Sequence, residues 1–361
     1  MGDILVIGGG VIGLLTAREL VDAGAEVTLV EMGQTGRESS WAGGGIISPL
    51  YPWRYSDSVT ALAAWSQGVY FDLCEALLAE TGSDPELLRS GLLVLDEDEH
   101  EQARAWADTH GARLQVIDTA ALRELEPGLG PAPKNALWMP EIAQVRNPRL
   151  AGALRRSIEK RVRIREQEEV TELLVDKDRA TGAATRNGQI RADQVVVCTG
   201  AWTAKLLARL GAKPEIQPVR GQIMLFLAKP DQVRHIVLFR ERYVIPRQDG
   251  RILIGSTLEH TGFLKATTAE AKEELYRIAV DIFPLLKRTP IEDHWAGLRP
   301  GSPGGVPYIG RFPGIEGLFF NAGHFRNGLV TAPASARLVA DLMLGREPIV
   351  DPAPYSLAAP R

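Results

Sequence analysis

The chain has 361 residues, enough for two to three domains and a large buried core. Apolar residues at 45%, charged residues at 24% and a net charge of −4 describe a globular protein without the basic surplus that nucleic acid requires. The 2 cysteines exclude a disulfide framework or a zinc cluster and favour a reducing compartment, the cytoplasm.

Glycine is in excess, with 36 residues and neither a Gly-X-Y period nor a Gly/Ser tract, so it must sit in specific turns. No apolar stretch approaches the length of a membrane span, and no targeting or lipidation pattern precedes the first strand, so no membrane partner is expected.

In chain order, residues 3–7 form a short apolar run that opens onto Gly8-Gly9-Gly10-Val11-Ile12-Gly13. Residues 14–23 have helical spacing, and a second apolar run, 26–30, ends at Glu31. The pattern is a βαβ unit, and Gly8, Gly10 and Gly13 fit G-x-G-x-x-G with an acid at the end of the second strand. Gly8 suits the tight turn, Gly10 a close approach of backbone to a diphosphate, and Gly13 close packing of helix on sheet. Glu31 would accept hydrogen bonds from ribose hydroxyls at the positive end of that helix.

Residues 36–47, GRESSWAGGGII, form a polar, glycine-rich loop that reads as a second cofactor contact or as a surface loop. In the first reading Ser39 and Ser40 bond phosphate or ribityl oxygens, and Gly43 to Gly45 let backbone approach a flat ring. Residues 59–81 are helical. A short strand at 92–95, a helix near 102–110 and the Pro-rich stretch 127–133 follow, and the last is a candidate boundary.

Residues 150–160 read as helix, 161–165 and 169–175 as strands, and Asn187-Gly188 as a hairpin turn. The apolar run before Thr199-Gly200 returns the chain to the parallel sheet, making the first domain discontinuous, with Cys198 as buried filler. Strands at 222–227, 235–238, 243–246 and 251–256, with Asp249-Gly250 as a turn, argue for a second, antiparallel domain. A helix over 268–279, a strand at 318–321, a turn at 323–327 and a helix from Gly328 to Leu344 complete the chain.

Arg299 stands in an apolar context, where a guanidinium wants a carboxylate, either from a bound amino acid or from a buried acid of the chain. Tyr243 opens a strand and has a hydroxyl suited to the same carboxylate or to plain packing. The six histidines show no metal-ligand spacing, and no G-x-S-x-G elbow exists, so neither a metal nor a serine nucleophile is expected.

Five segments, GGGVIGLLTARELVDAGAEVTLVE, ESSWAGGGIISPLYPWRYS, RYVIPRQDGRILIGSTLE, HWAGLRPGSPGGVPYIGR and NAGHFRNGLVTAPASA, resemble the FAD-dependent amine oxidases related to D-amino-acid oxidase. Within that group they are most similar to the glycine oxidases of the thiamine pathway. The resemblance implies an α/β fold: a discontinuous Rossmann-like FAD domain (1–85, 145–215, 294–361) and a substrate domain on a mainly antiparallel sheet with flanking helices (86–144, 216–293). It implies that Tyr243, Arg299 and Arg326 hold the substrate. It implies FAD contacts at Val11, Ile12, Glu31, Met32, Ser39, Ser40, Gly44, Gly45, Ile46 and Val170, and at His324, Phe325, Arg326, Asn327, Gly328, Leu329 and Val330, beside Gly8, Gly10, Gly13 and Gly200.

The activity so implied is oxidation of glycine and other small amino acids by hydride transfer to flavin N5, with oxygen as acceptor and hydrogen peroxide as product. The carboxylate would be fixed by Arg299 and Tyr243, and the last helix would point its positive end at the flavin. Relatives that attach FAD covalently use a C-terminal cysteine or a histidine after the Rossmann unit; this chain has none after Cys198 and has Ala42 at the other position, so FAD is expected to be non-covalent. A homotetramer is the oligomer the resemblance favours. The rival readings are a sarcosine, D-proline or D-amino-acid oxidase or dehydrogenase of the same group, and a non-catalytic flavin-binding scaffold.

Overall fold

The computed structural model describes residues 2–96, 98–212 and 214–361. Its first sheet has six strands in the order Tyr308–Arg311, Leu318–Ala322, Gln194–Val197, Asp3–Ile7, Glu26–Val30, Arg163–Arg165. Asp3–Ile7 pairs in parallel with both Glu26–Val30 and Gln194–Val197, so the late apolar run does return beside the first strand. Its continuous Val195-Val196-Val197 suits a strand buried on both faces. One face carries the helices Val11–Asp22, Asp57–Thr81, Asn147–Ile158 and Ala332–Leu344; the other carries the small sheet formed by residues 170–191.

The second sheet has eight strands, in the order Ile291–Gly301, Gln217–Leu227, Arg251–Gly255, Arg242–Pro246, Ile236–Phe239, Leu92–Val94, Asn135–Met139, Gln115–Asp118. Only the pairing of Ile236–Phe239 with Leu92–Val94 is parallel. Helix Ala269–Ile282 covers one face, and the Thr268 hydroxyl accepts from the Ala271 N–H at its start. The opposite face, with Ile223, Tyr243 and Ile245, packs against Ile46, Leu50 and Tyr51 of the segment after the second glycine loop.

Three local expectations are corrected. Residues 294–301 belong to an eleven-residue strand, Ile291–Gly301, paired along Gln217–Leu227, an element not expected from the sequence. Gly297, Pro300 and Gly301 hid it, yet it is an edge strand, where proline costs no ladder hydrogen bond. The last helix begins at Ala332 rather than Gly328. Pro333 explains this, because a helix starting at Gly328 would put that proline in its interior, whereas here it occupies the first turn. In the hairpin near 187 it is Thr185 and Gly188 that pair, which makes Arg186-Asn187 the turn.

The two halves of the first βαβ unit meet at Gly13. A Cβ added there would lie 1.9 Å from the Gly8 carbonyl oxygen, so helix and strand-end can touch only without one. Gly13→Ala is therefore expected to cost about 1–3 kcal/mol by overpacking. Urea denaturation of the purified variant and wild type measures it.

Candidate active site

The parallel strands Asp3–Ile7, Glu26–Val30, Gln194–Val197 and Leu318–Ala322 all end at one edge of the first sheet, where open α/β sheets bind ligands. Gly8, Glu31, Gly200 and His324 follow those ends and line a cavity of about 390 Å³ that runs on to the second sheet. Of the residues expected at the cofactor, Gly10, Val11, Ile12, Met32, Ser39, Ser40, Gly44, Gly45, Ile46, Val170, Phe325, Arg326, Gly328 and Leu329 line it as well, together with Tyr243 and Arg299. Gly13, Asn327 and Val330 do not: Gly13 lies in the helix–strand contact, Val330 in the core, and Asn327 is buried behind the turn.

At the end of the cavity beside the first βαβ unit the Glu31 carboxylate accepts from Gly9 N–H at 2.7 Å and Gly33 N–H at 2.9 Å. Burial holds its pKa above the usual range despite those two bonds. Helix Val11–Asp22 starts here with the first-turn N–H groups that no intrahelical carbonyl can satisfy, except that Val11 N–H donates to the Ser40 hydroxyl at 2.8 Å. Ser40 thus ties the second glycine loop to the first and keeps its own hydrogen to donate. The Ser39 hydroxyl is already engaged, donating to the Leu298 carbonyl beside Arg299.

At the other end the Tyr243 ring lies in a slot between two residues without side chains. A Cβ on Gly44 would come within 3.1 Å of the ring, and one on Gly255 within 2.7 Å. The Arg299 guanidinium covers Gly221, where a Cβ would lie 2.2 Å from it. Arg299 donates to the Thr257 carbonyl at 3.1 Å and to the Ser256 hydroxyl, and the Tyr243 hydroxyl lies against it.

Among the described residues no carboxylate pairs with Arg299. The nearby acid, Glu259, is held instead by Arg220, Gln222 and Thr257. Burial pushes the Arg299 pKa below its ordinary value, with the cation of Arg326 adding to the effect. The alternative of an ion pair within the chain is thereby excluded for the described residues, and the cavity holds a fixed positive charge with room for an anion. Arg326 differs, since Glu241 lies 3.3 Å from its guanidinium.

Sequence reasoning missed Gly221, Gly255, Ser256 and Thr257, which shape and bond the Arg299 and Tyr243 slots. Their only signal was glycine or small residues at intervals along the strands of the second sheet.

The turn before the last helix puts Phe325 at φ 46° and Gly323 at φ 81°. His324 is fully enclosed, its Nε2 meets no partner among the described residues, and burial lowers its pKa to about 3. It is therefore neutral through the physiological range. Cys198, also on the wall, is a buried thiol pushed up to about 12, consistent with filler rather than nucleophile.

The residues present suit a dinucleotide carrying a flat redox ring: amides and a helix N-terminus for a diphosphate, a carboxylate for a ribose, and close glycine backbone beside Tyr243 for a ring. Among the described residues no cluster of three or more potential ligands could hold a metal ion, and no helix is long and apolar enough to cross a membrane.

Residues 3–342 match the family of FAD dependent oxidoreductases, and the chain belongs to it. It is 54% identical over 357 residues to the glycine oxidase of Pseudomonas aeruginosa, with 98% of each chain covered. It is 50% identical over 356 residues to that of Pseudomonas putida, again with 98% of each covered. The crystal structure of glycine oxidase from Geobacillus kaustophilus matches the fold with a TM-score of 0.94 at 30% identity, covering 100% of this chain and 99% of that one.

Because unfolding releases His324 to its ordinary pKa of 6.5 and the folded state holds it near 3, the unfolded chain binds a proton first as pH falls. Stability should thus drop between pH 6.5 and 3 by about 1.4 kcal/mol per pH unit from this group alone. Denaturant titrations of wild type and His324→Gln at pH 7 and 5.5 check it: the variant should lose less stability on acidification.

Proposed function

We propose that the protein catalyses FAD-dependent oxidative deamination of glycine and other small amino acids, including sarcosine and small D-amino acids. Amino acid, oxygen and water give the keto acid (glyoxylate from glycine), ammonia or amine, and hydrogen peroxide. The observation that carries the reading is the unpaired guanidinium of Arg299 beside Tyr243, in the same cavity as the dinucleotide turn. The sequence identity to named glycine oxidases supports the substrate class.

Bound flavin supplies a two-electron acceptor for the Cα hydrogen and returns the electrons to oxygen. Gly8, Gly10, Val11 and Ile12 would hold its diphosphate, and Glu31 and Met32 its ribose and adenine side, with Val170 and Gly200 flanking. Ser39, Ser40, Gly44, Gly45, Ile46 and, in the turn before the last helix, His324, Phe325, Arg326, Gly328 and Leu329 would surround the ring system, with Asn327 and Val330 supporting that turn from behind. Arg299 grips the substrate carboxylate bidentately, and Tyr243 adds a hydroxyl to the same group. The Arg326 carbonyl accepts from the substrate amine. With the carboxylate and amine both fixed, orientation supplies most of the rate and little acid–base machinery is needed.

The division into an FAD-binding part (1–85, 145–215, 294–361) and a substrate-binding part (86–144, 216–293) forms part of this reading, as do a cytoplasmic setting and a homotetramer. FAD is held without a covalent bond, since Ala42 offers no nucleophile and no cysteine follows Cys198.

Anaerobic addition of glycine to the flavin-loaded protein should bleach the flavin band, and air should then yield peroxide. A protein bleached by no small amine is a flavin-binding scaffold instead. Arg299→Ala should raise the substrate KM about 10- to 100-fold, the loss of about 1.5–3 kcal/mol in a charge-assisted pair, with flavin content unchanged. Steady-state peroxide assays on the purified variant measure this. After trichloroacetic acid precipitation the yellow colour should stay in the supernatant; colour in the pellet would show a covalent link.

A further inference from the structure

Tyr243, Ile245 and Arg247 alternate along one strand and the first residue beyond it, so their side chains share a face. All three meet Gly44. A Cβ on Gly44 would lie 2.8 Å from Ile245 Cδ1 and 3.1 Å from the Tyr243 ring, and Arg247 Nη2 donates to the Gly44 carbonyl at 2.8 Å. Arg247 Nη1 donates to the Val145 carbonyl at 3.0 Å and to Gln144 Oε1 at 2.7 Å. The guanidinium therefore bridges the second glycine loop and the segment running against it.

Arg247 is 9% exposed, and among the described residues no carboxylate pairs with it. The neighbouring acids Glu86 and Asp249 are taken by Arg146. Burial, with Arg146 adding to it, lowers the Arg247 pKa to about 10, which leaves it charged at neutral pH. A buried cation that meets only neutral oxygens carries a desolvation cost that an apolar residue of similar size would avoid.

What the cation does bear upon is the Gly44–Gly45 peptide. Gly44 and Gly45 line the cavity at its Arg299 end, and among the described residues their amide N–H groups donate to no acceptor within the chain. A cation on the carbonyl of a peptide polarises its N–H into a stronger donor.

We propose that Arg247 is a positioning residue that sets the reduction equilibrium of the bound flavin, by fixing and polarising the Gly44–Gly45 peptide so that its N–H favours the electron-richer reduced ring. This rests on the FAD-binding reading above and on no particular substrate. It makes Arg247 distinct from Arg299, which faces the substrate directly.

The test is the midpoint potential of the flavin-loaded protein, measured against redox dyes for wild type, Arg247→Gln and Arg247→Lys, alongside the FAD dissociation constant and thermal unfolding. Arg247→Gln keeps a donor without charge and should shift the equilibrium at least tenfold toward the oxidised form, about 30 mV for a two-electron couple. Arg247→Lys keeps the charge and should restore most of that shift. Equal potentials in all three proteins overturn the proposal, and so does a lysine variant shifted as far as the glutamine variant, because packing alone would then account for it. If the glutamine variant does not fold with flavin bound, the lysine variant decides: a potential near that of wild type supports the role of charge, and one shifted tenfold overturns it. Wild type that holds FAD yet is reduced by no small amino acid defeats the substrate reading and leaves the comparison of potentials intact.

Discussion

A guanidinium held by one backbone carbonyl, a serine hydroxyl and a tyrosine, with no carboxylate partner among the described residues, is the arrangement around which this molecule is organised. Charges taken out of water must be paired or must have an anion to meet. Arg299 remains charged because Thr257, Ser256 and Tyr243 supply partial compensation and the cavity supplies access for the rest. The acid close at hand, Glu259, is diverted to Arg220, so among the described residues that cation is left without a carboxylate.

That cation is held beside the glycine turn by side-chain-free contacts within each sheet and between the second glycine loop and Tyr243. Gly221 lies under Arg299, Gly44 and Gly255 flank Tyr243, and Gly13 lies against Gly8. Each is a place where a single Cβ would push two segments apart. Ser39 and Ser40 complete the link by bonding the second glycine loop to the Arg299 strand on one side and to the first helix on the other. The Glu31 end and the Arg299 end of the cavity are therefore one mechanical unit.

Much of this was legible in the residues. Strand, glycine turn, helix and acid appear in order at the N-terminus, and the apolar run before Thr199-Gly200 announced a strand returning to the same sheet. The unpaired state of Arg299 was not legible, since the sequence contains acids enough to satisfy it and only their positions show that they are engaged elsewhere. Residues 291–301 escaped because glycine and proline mask a strand whose partner lies some seventy positions away in sequence. The early start given to the last helix had a local remedy in Pro333.

By itself, the amino-acid sequence determined the class of fold, the glycine turn after the first strand and the chemical kinds of residue at Tyr243, Arg299 and Arg326, because these depend on local spacing and side-chain type. Only the tertiary structure decided which cations stay unpaired. Arg299 meets the cavity, Arg326 meets Glu241, and Arg247 meets three neutral oxygens behind Gly44. The physical reason is that pairing depends on distance in space, and residues far apart in the chain compete for the same few carboxylates. The glycine excess behaves the same way: composition revealed its size, and only the folded chain revealed that so much of it separates, or fails to separate, one wall of a single cavity from the next.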